Sequence, residues 1–312
     1  MNVQELINLV REYVDEPSED ASDWSDANLL SYINMENRHL FSLTRASHQD
    51  WFGRESIFST SNNQTRYFLP DNMVAVRRVE LIGSEAVSGE APFFQVDESR
   101  ARIQEIPQLN LNQKENSYPL RTASQFQMVD GYYLWDEEIR FGSGAKLGNH
   151  HIRIFYTPQA PNLHLSRVQG ADNNSFLLGL NNEALTLGRV SPEDHYYDGM
   201  KVEITEGSGV GQVRRIVTYY GDEQRAEIDR PWREAVDQSS VYSIVSPIQE
   251  DFQELLALGG AIRAKGLKTE DSIAEVAQVY GALLEQFKKS LELRNQQTSR
   301  RILSTNGSEL WN

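Results

Sequence analysis

The chain has 312 residues, 39% of them hydrophobic, and a formal charge of −15, so it can bury a sizeable core and is poorly suited to coat nucleic acid, which needs dense positive charge. It has no cysteine, which excludes disulfides, thiolate nucleophiles and cysteine-based metal sites. No run approaches the roughly 20 apolar residues that span a bilayer, and Met1 leads at once into an amphipathic helix instead of a signal peptide; the expectation is a soluble protein made in a reducing cytoplasm.

Residues 3–14 read as a helix with Val3, Leu6, Ile7, Val10 and Val14 on one face. After a polar, acidic loop, Ser25 can cap a second helix running to Ser47, with Leu29, Leu30, Ile33, Asn37, Leu40 and Phe41 inward. Asn34 and Asn37 interrupt that stripe, and bonding to neighbouring backbone or side chains accounts for them without chemistry. From Ser56 the period changes to that of strands. Ile57–Ser61 and Arg66–Leu69 flank the turn formers Ser61-Asn62-Asn63, and Val74–Ile82 is a third extended piece. Its alternation puts Val74, Val76, Val79 and Leu81 inward, with a shift of face forced by Arg77-Arg78. Val96–Ile106 is a short helical candidate. Phe126–Val129, Tyr132–Trp135, Glu138–Phe141 and His151–Tyr156 read as a meander, with Asp130-Gly131 as a hairpin turn.

Texture changes near Arg167. Residues 168–247 are rich in Gly, Asn, Asp and Ser, and hold short strands at Ala184–Leu187, Met200–Thr205, Gln212–Tyr219, Ala226–Asp229 and Val241–Val245. Strands at this spacing with no helix between them point to a small barrel or sandwich. With 13 acidic and 7 basic residues the segment shares the acidity of the whole. Helical periodicity returns at Gln249–Gly266 and Glu270–Asn295, joined by a short connection, with Gly266 as a left-handed stop and Thr269 as N-cap. Ile273, Val276, Ala277, Tyr280, Leu284, Phe287 and Leu291 form the stripe of the last helix. The expected class is therefore α+β: a discontinuous helical domain with a small antiparallel sheet (1–167 and 248–295), an inserted β-module (168–247), and an extended tail (296–312). Between Lys288 and Leu303 five basic residues face Glu292 alone, and Leu310-Trp311 lie near the terminus, a composition suited to ordering on a partner.

No catalytic constellation emerges. Gly207-Ser208-Gly209-Val210-Gly211 lies between two strand patterns, where a phosphate cradle needs a strand and a helix N-terminus, so it reads as a hairpin turn. His150-His151 point to opposite faces of a strand and cannot chelate one ion together. His195 with Glu193, Asp194 and Asp198 could make a hard-cation site, but lacks the spacing of a calcium loop. Asp136, Glu137 and Glu138 read as a solvated turn, with paired carboxylates for sugar hydrolysis as the other reading. Tyr196, Tyr197 and Trp232 could form a sugar-stacking or partner surface on the β-module, against the plainer reading of aromatics in a core. The expectation is a non-enzyme without metal or cofactor.

Trp24-Ser25-Asp26-Ala27-x-Leu29-Leu30-x-Tyr32-Ile33-Asn34, followed by Tyr67-Phe68-Leu69-Pro70-Asp71 and a valine-rich strand, resembles the N-terminal half of head-to-tail adaptor (connector) proteins of tailed bacteriophages. Leu258-Gly259-Gly260-Ala261 in the closing helices fits the same family. Tyr197-x-Gly199-Met200-x-Val202-x-Ile204-Thr205-x-Gly207-x-Gly209-x-Gly211-Gln212-x-Arg214-x-Ile216, with Arg230-Pro231-Trp232 beyond, resembles a β-module recurrent in phage adaptor and tail-associated proteins. The smallest family members lack that inserted module. The resemblance implies a virion protein at the head–tail interface that forms a ring, typically dodecameric, between the portal and tail proteins (tube, nozzle or fibre attachment). Genomic DNA would pass through it without sequence-specific binding, and no membrane is involved. It also implies a C-terminal extension that reaches the portal, for which Arg294, Arg300, Arg301, Ile302, Leu303, Leu310 and Trp311 are the docking candidates. The alternative is a tail-associated component that binds or cleaves glycans through residues 168–247.

Overall fold

The computed structural model describes residues 1–15, 24–47, 53–61, 64–83, 100–103, 132–141, 150–179, 186–266 and 273–298. Helices and antiparallel strands are both present in quantity, so the chain is α+β. It divides into two compact units, Met1–His48 with Ala160–Asn312, and Gln49–Gln159. Within the first unit, contacts join α1 to strand Val241–Val245 of the β-rich segment.

In the first unit, helix α1 (Val3–Val14) opens with a capping box in which Asn2 and Glu5 satisfy each other's backbone N–H groups. Helix α2 (Asp26–Ser47) starts at Ser25, whose Oγ accepts from the Asn28 N–H at 3.2 Å. Arg11, buried on α1, donates to Asp26 through Nε (3.0 Å) and to the Trp24 carbonyl (3.1 Å), which fixes the approach of the two helices. A 3-10 turn at Glu250–Phe252 leads into α3 (Glu254–Lys265), which buries Leu255, Leu256, Ala257, Leu258, Ala261 and Ala264 and so sits among α1, α2 and α4 (Ile273–Thr298).

The close approach of α3 depends on its two glycines. A Cβ on Gly259 would lie 2.3 Å from Glu36 Cγ, and one on Gly260 would lie 3.2 Å from Ile33 and 3.3 Å from Val10. Gly266 is right-handed helical (φ −58°) and not the left-handed stop the sequence suggests; its N–H still reaches the Ile262 carbonyl, so the helical turn simply continues.

The β-rich part of this unit is one seven-stranded antiparallel sheet. Its strands are β8 (Leu165–Arg167), β9 (Gly170–Ala171), β10 (Ser175–Leu177), β11 (Lys201–Glu206), β12 (Val213–Tyr220), β13 (Arg225–Ile228) and β14 (Val241–Val245), in the order β8-β14-β11-β12-β13-β10-β9. The two end strands are separated by only Val168 and Gln169, so the sheet curls until its ends meet there, though the ladder is not closed into a barrel. Its interior holds Tyr197, Val202, Ile204, Ile216, Tyr219 and Tyr242. The glycine-rich loop is the hairpin turn between β11 and β12, with Gly207, Gly209 and Gly211 all at φ near +80°.

Two asparagines join helix to sheet. Asn34 accepts from the Leu163 N–H (2.7 Å) and donates to its carbonyl (3.2 Å), imitating a strand partner. Asn37 donates to the Pro161 carbonyl (3.0 Å) and accepts from Ser246 Oγ (2.8 Å). The Val3 N–H donates to Ser243 Oγ on β14 (2.9 Å). Both asparagines on the apolar stripe thus guide the chain from α2 into the sheet, as bonding to neighbouring groups requires.

The second unit contains β1 (Arg54–Ser59), β2 (Arg66–Phe68), β3 (Met73–Gly83), β4 (Arg100–Ile103), β5 (Tyr132–Trp135), β6 (Glu138–Phe141) and β7 (His150–Pro158). They form a four-stranded sheet, β1-β7-β3-β4, and a three-stranded sheet, β2-β6-β5, which share one core of Tyr67, Val79, Tyr132, Ile139, Phe141, Ile152, Ile154 and Tyr156. β1 and β2 therefore enter different sheets and do not form a hairpin. The shift of face at Arg77-Arg78 appears as a register irregularity between Val76 and Arg78, but Val74, expected inside, is exposed. Arg100–Ile103, expected in a helix, pairs with β3, because an open ladder edge satisfies its backbone. The hairpin turn between β5 and β6 is Asp136-Glu137, with Asp136 at φ 57°; Asp130-Gly131 and Phe126–Val129 lie outside the described residues.

Gly259→Ala should lower stability by about 1–3 kcal/mol through overpacking against Glu36, and Gly260→Ala by less, read as shifts in the urea midpoint at unchanged slope. A second expectation concerns His164, which is fully buried and bonded through Nδ1 to the Tyr242 hydroxyl at 3.0 Å. Burial pushes its pKa down to about 4 from the ordinary histidine value of 6.5. The folded state therefore holds His164 neutral while the unfolded chain takes up a proton below pH 6.5. Its contribution is whole above that pH and is lost as the pH falls toward 4, up to about 3 kcal/mol at about 1.4 kcal/mol per pKa unit. Urea titrations at pH 7 and pH 4.5 should show a smaller drop for His164→Gln than for the native chain.

Candidate interaction surfaces

Helix α4 is the most exposed of the helices and carries the tail. Among its described side chains the large buried ones are Phe287 and Leu291, and the Phe287 ring meets Phe252 edge-on at 5.2 Å. Further toward the N-terminus it is held by polar bonds. The Tyr280 hydroxyl donates to Glu36 Oε1 at 2.6 Å, Arg263 Nη2 donates to Glu36 Oε2 at 3.1 Å, and His39 Nδ1 lies 3.1 Å from Oε1. Glu36 is 2% exposed, so this carboxylate is almost fully desolvated and compensated by neighbours from α2, α3 and α4. Burial, and then the bond to Glu36, push the Tyr280 phenol upward and keep it a donor.

The other flank of α4 faces solvent. Val279 is 52% exposed and, with Ala282 and Leu283, forms the apolar floor of an open groove of about 500 Å³ bordered by Glu254, Glu275, Gln278 and Gln286. Arg294 lies in the last turns of α4, its side chain outside the described residues. Arg300, Arg301, Ile302, Leu303, Leu310 and Trp311 also lie outside them.

On the curled sheet, Tyr197 is fully buried between Tyr196 (4.8 Å) and Tyr219 (4.9 Å) in edge-on contacts, and Trp232 packs edge-on against Phe176 at 6.0 Å. Of the three aromatics considered as a sugar surface, only Tyr196 keeps partial ring exposure, and its hydroxyl accepts from the Asn162 N–H. The motif residues around Trp232 have a structural task. Arg214 donates from Nε and Nη2 to the Pro231 carbonyl (3.1 and 2.9 Å) and covers the Trp232 ring at 5.2 Å, while Gln212 Oε1 accepts from Arg214 and from the Arg233 N–H. Together they clamp the loop after β13. Beside that loop is an open cleft of about 930 Å³ lined by Asn173, Asn174, Arg225, Glu227 and Arg233.

The acids near His195 are engaged with backbone. Asp194 accepts from the Gly221 N–H and Asp198 from the Tyr219 N–H, each at 2.7 Å, and Asp198 also meets His195 Nδ1 at 2.8 Å. Among the described residues no group of three His, Cys, Asp or Glu is arranged to hold a metal ion. Asp136 and Glu137 are exposed in a turn, and Glu138 pairs with Arg140 at 2.7 Å. Among the described residues no helix is long and apolar enough to cross a membrane.

One surface escaped sequence reasoning. Register places Phe68, Glu138 and Trp135 side by side across β2, β6 and β5, on the face opposite the core. Phe68 is 78% and Trp135 51% exposed. Nothing in the alternation of Tyr67-Phe68-Leu69 or Tyr132-Tyr133-Leu134-Trp135 distinguishes the wet face from the dry one, since apolar residues occupy both.

None of the curated proteins matches the chain. The family model of the SU10 adaptor protein matches residues 1–188, more than half of the 312, including the Trp24–Asn34 and Tyr67–Asp71 segments that carry the resemblance to head-to-tail adaptors. The chain belongs to the SU10 adaptor protein family, a structural adaptor of tailed phages.

Proposed function

We propose that the protein closes into a ring, dodecameric as in the adaptors it resembles, between the portal and the tail of a phage virion. The observation that carries the reading is the half-bare helix α4. A 26-residue helix whose described residues bury two large side chains and leave Val279, Ala282 and Leu283 in an open groove is incomplete as a monomer surface. In a ring closed by head-to-tail contacts, the groove of one subunit receives a different face of the next, and closure leaves no groove bare. The tail that continues α4 carries Arg300, Arg301 and Trp311, side chains favoured as interface anchors, and it orders on the portal. Many tails on one ring gain by effective concentration what a single tail lacks. The charge of −15 keeps the conduit from holding the DNA that passes it.

Val279→Glu with Leu283→Glu should abolish ring formation in sedimentation velocity and leave the circular-dichroism spectrum unchanged, because neither side chain is buried; rings of normal size from this variant would remove α4 from the interface. Replacing Arg300, Arg301 and Trp311 by Ala should weaken co-sedimentation with purified portal at least tenfold without altering the fold. Unchanged co-sedimentation would sink the assignment of the tail.

A further inference from the structure

The unit 49–159 carries an exposed aromatic surface that belongs neither to α4 nor to the tail. Its two sheets share one core, and their outer faces differ in kind. The outer face of β1-β7-β3 is laced with ion pairs and stacked cations: Arg78 to Glu80 (2.9 Å), Arg153 to Glu55 (3.7 Å), and the Arg78 guanidinium 4.1 Å above the Phe155 ring. Such a face is mostly closed by charge pairs, with Ile57 the large apolar side chain exposed on it beside Arg153. The outer face of β2-β6-β5 is not. Phe68 and Trp135 flank Glu138 in one cross-strand row, and the next row is Arg66, Arg140 and Tyr133. Glu138 is neutralised by Arg140, whose guanidinium also lies 5.3 Å from the Trp135 ring centroid. The aromatic row is held rigid at its end, because the Leu69 N–H donates to the Glu137 carbonyl at 2.9 Å and ties the strand after Phe68 to the β5–β6 turn. Around that end stand the exposed carboxylates of Asp71, Asp136 and Glu137.

We propose that this face is the docking site for a basic segment of the tail protein that the adaptor joins, with an arginine or lysine stacked between Phe68 and Trp135 and paired to the rim carboxylates. The proposal rests on the adaptor reading above and assigns its tail-side contact. Two large exposed aromatics on a rigid sheet with a charged rim have the make-up of an interface centre. The charge selects the occupant. Across this face the rim carboxylates of Asp71, Asp136 and Glu137 outweigh Arg66, Arg140 being paired to Glu138, so a phosphate backbone is repelled, and a second copy of a chain with charge −15 offers mostly like charge. A cationic side chain gains both from the ring faces and from the carboxylates.

The test uses assembled virions. Phe68 and Trp135 are replaced one at a time by the photoreactive p-benzoylphenylalanine in the full chain, virions are irradiated, and crosslinked peptides are identified by mass spectrometry. The expected product joins each position to an Arg- or Lys-bearing segment of a tail protein. In parallel, Phe68→Ala with Trp135→Ala should yield DNA-filled heads that retain portal and adaptor and lack tails, with infectious titre down at least tenfold. Glu137→Lys should act in the same direction. Crosslinks to another adaptor copy, to portal or to DNA, or no crosslink at either position, would overturn the proposal, as would normally tailed particles from the double variant. Absence of the protein from virions would instead overturn the adaptor reading itself.

Discussion

Helix α3 can approach α2 as closely as it does only because Gly259 and Gly260 have no side chains, and that approach seals a carboxylate, Glu36, inside a helical core. Desolvating a carboxylate is costly unless its oxygens are bonded. Here the bonds come from Arg263 on α3, His39 on α2 and Tyr280 on α4, so the same charge that would destabilise the core fixes where α4 lies. Among the described residues of α4, Phe287 and Leu291 are the large side chains fully buried against the body, and both lie toward its far end. The exposed groove and the tail beyond it are thus oriented by a polar contact, and the apolar stripe contributes mainly at the far end.

The β-rich part is governed by a different constraint. A sheet whose first and last strands are two residues apart must curl, and curling leaves the loop after β13 over the open end of the interior. Gln212 and Arg214 hold that loop by its carbonyls and cover Trp232, while Asn34 and Asn37 bind the strand-like run leading into β8. Each of these polar side chains substitutes for a backbone partner that a flat sheet would have supplied.

Much of this was legible in the sequence, and the failures have physical causes. α1 and α2 were visible in their periodicity and caps, since local propensity and the buried face agree there. β11 to β14 were visible for the same reason. β8 to β10 are two or three residues long and leave no period to read. Arg100–Ile103 suggested helix because its neighbours repeat at helical spacing, and the pairing with β3, a non-local contact, overrode that preference. Pairing also decided that β1 and β2 part company, which no turn signal between them could foretell. The surface of Phe68 and Trp135 was hidden because strands with apolar residues on both faces do not announce which face is dry. For the basic tail, composition is the whole of the signal.

The N-terminal helix depends on residues made late in synthesis. The Met1 amino group bonds to Gln253, Val3 to Ser243, and Tyr13 to Glu254, and the apolar face of α1 is covered by α3. At a synthesis rate of about 5–20 residues per second, the ribosome needs on the order of 10–50 s to supply those partners. For that time α2 is at hand, but α3, which packs on the same helix, is not. The contacts that seat α1 therefore span most of the chain, and they close only when α3 has been made.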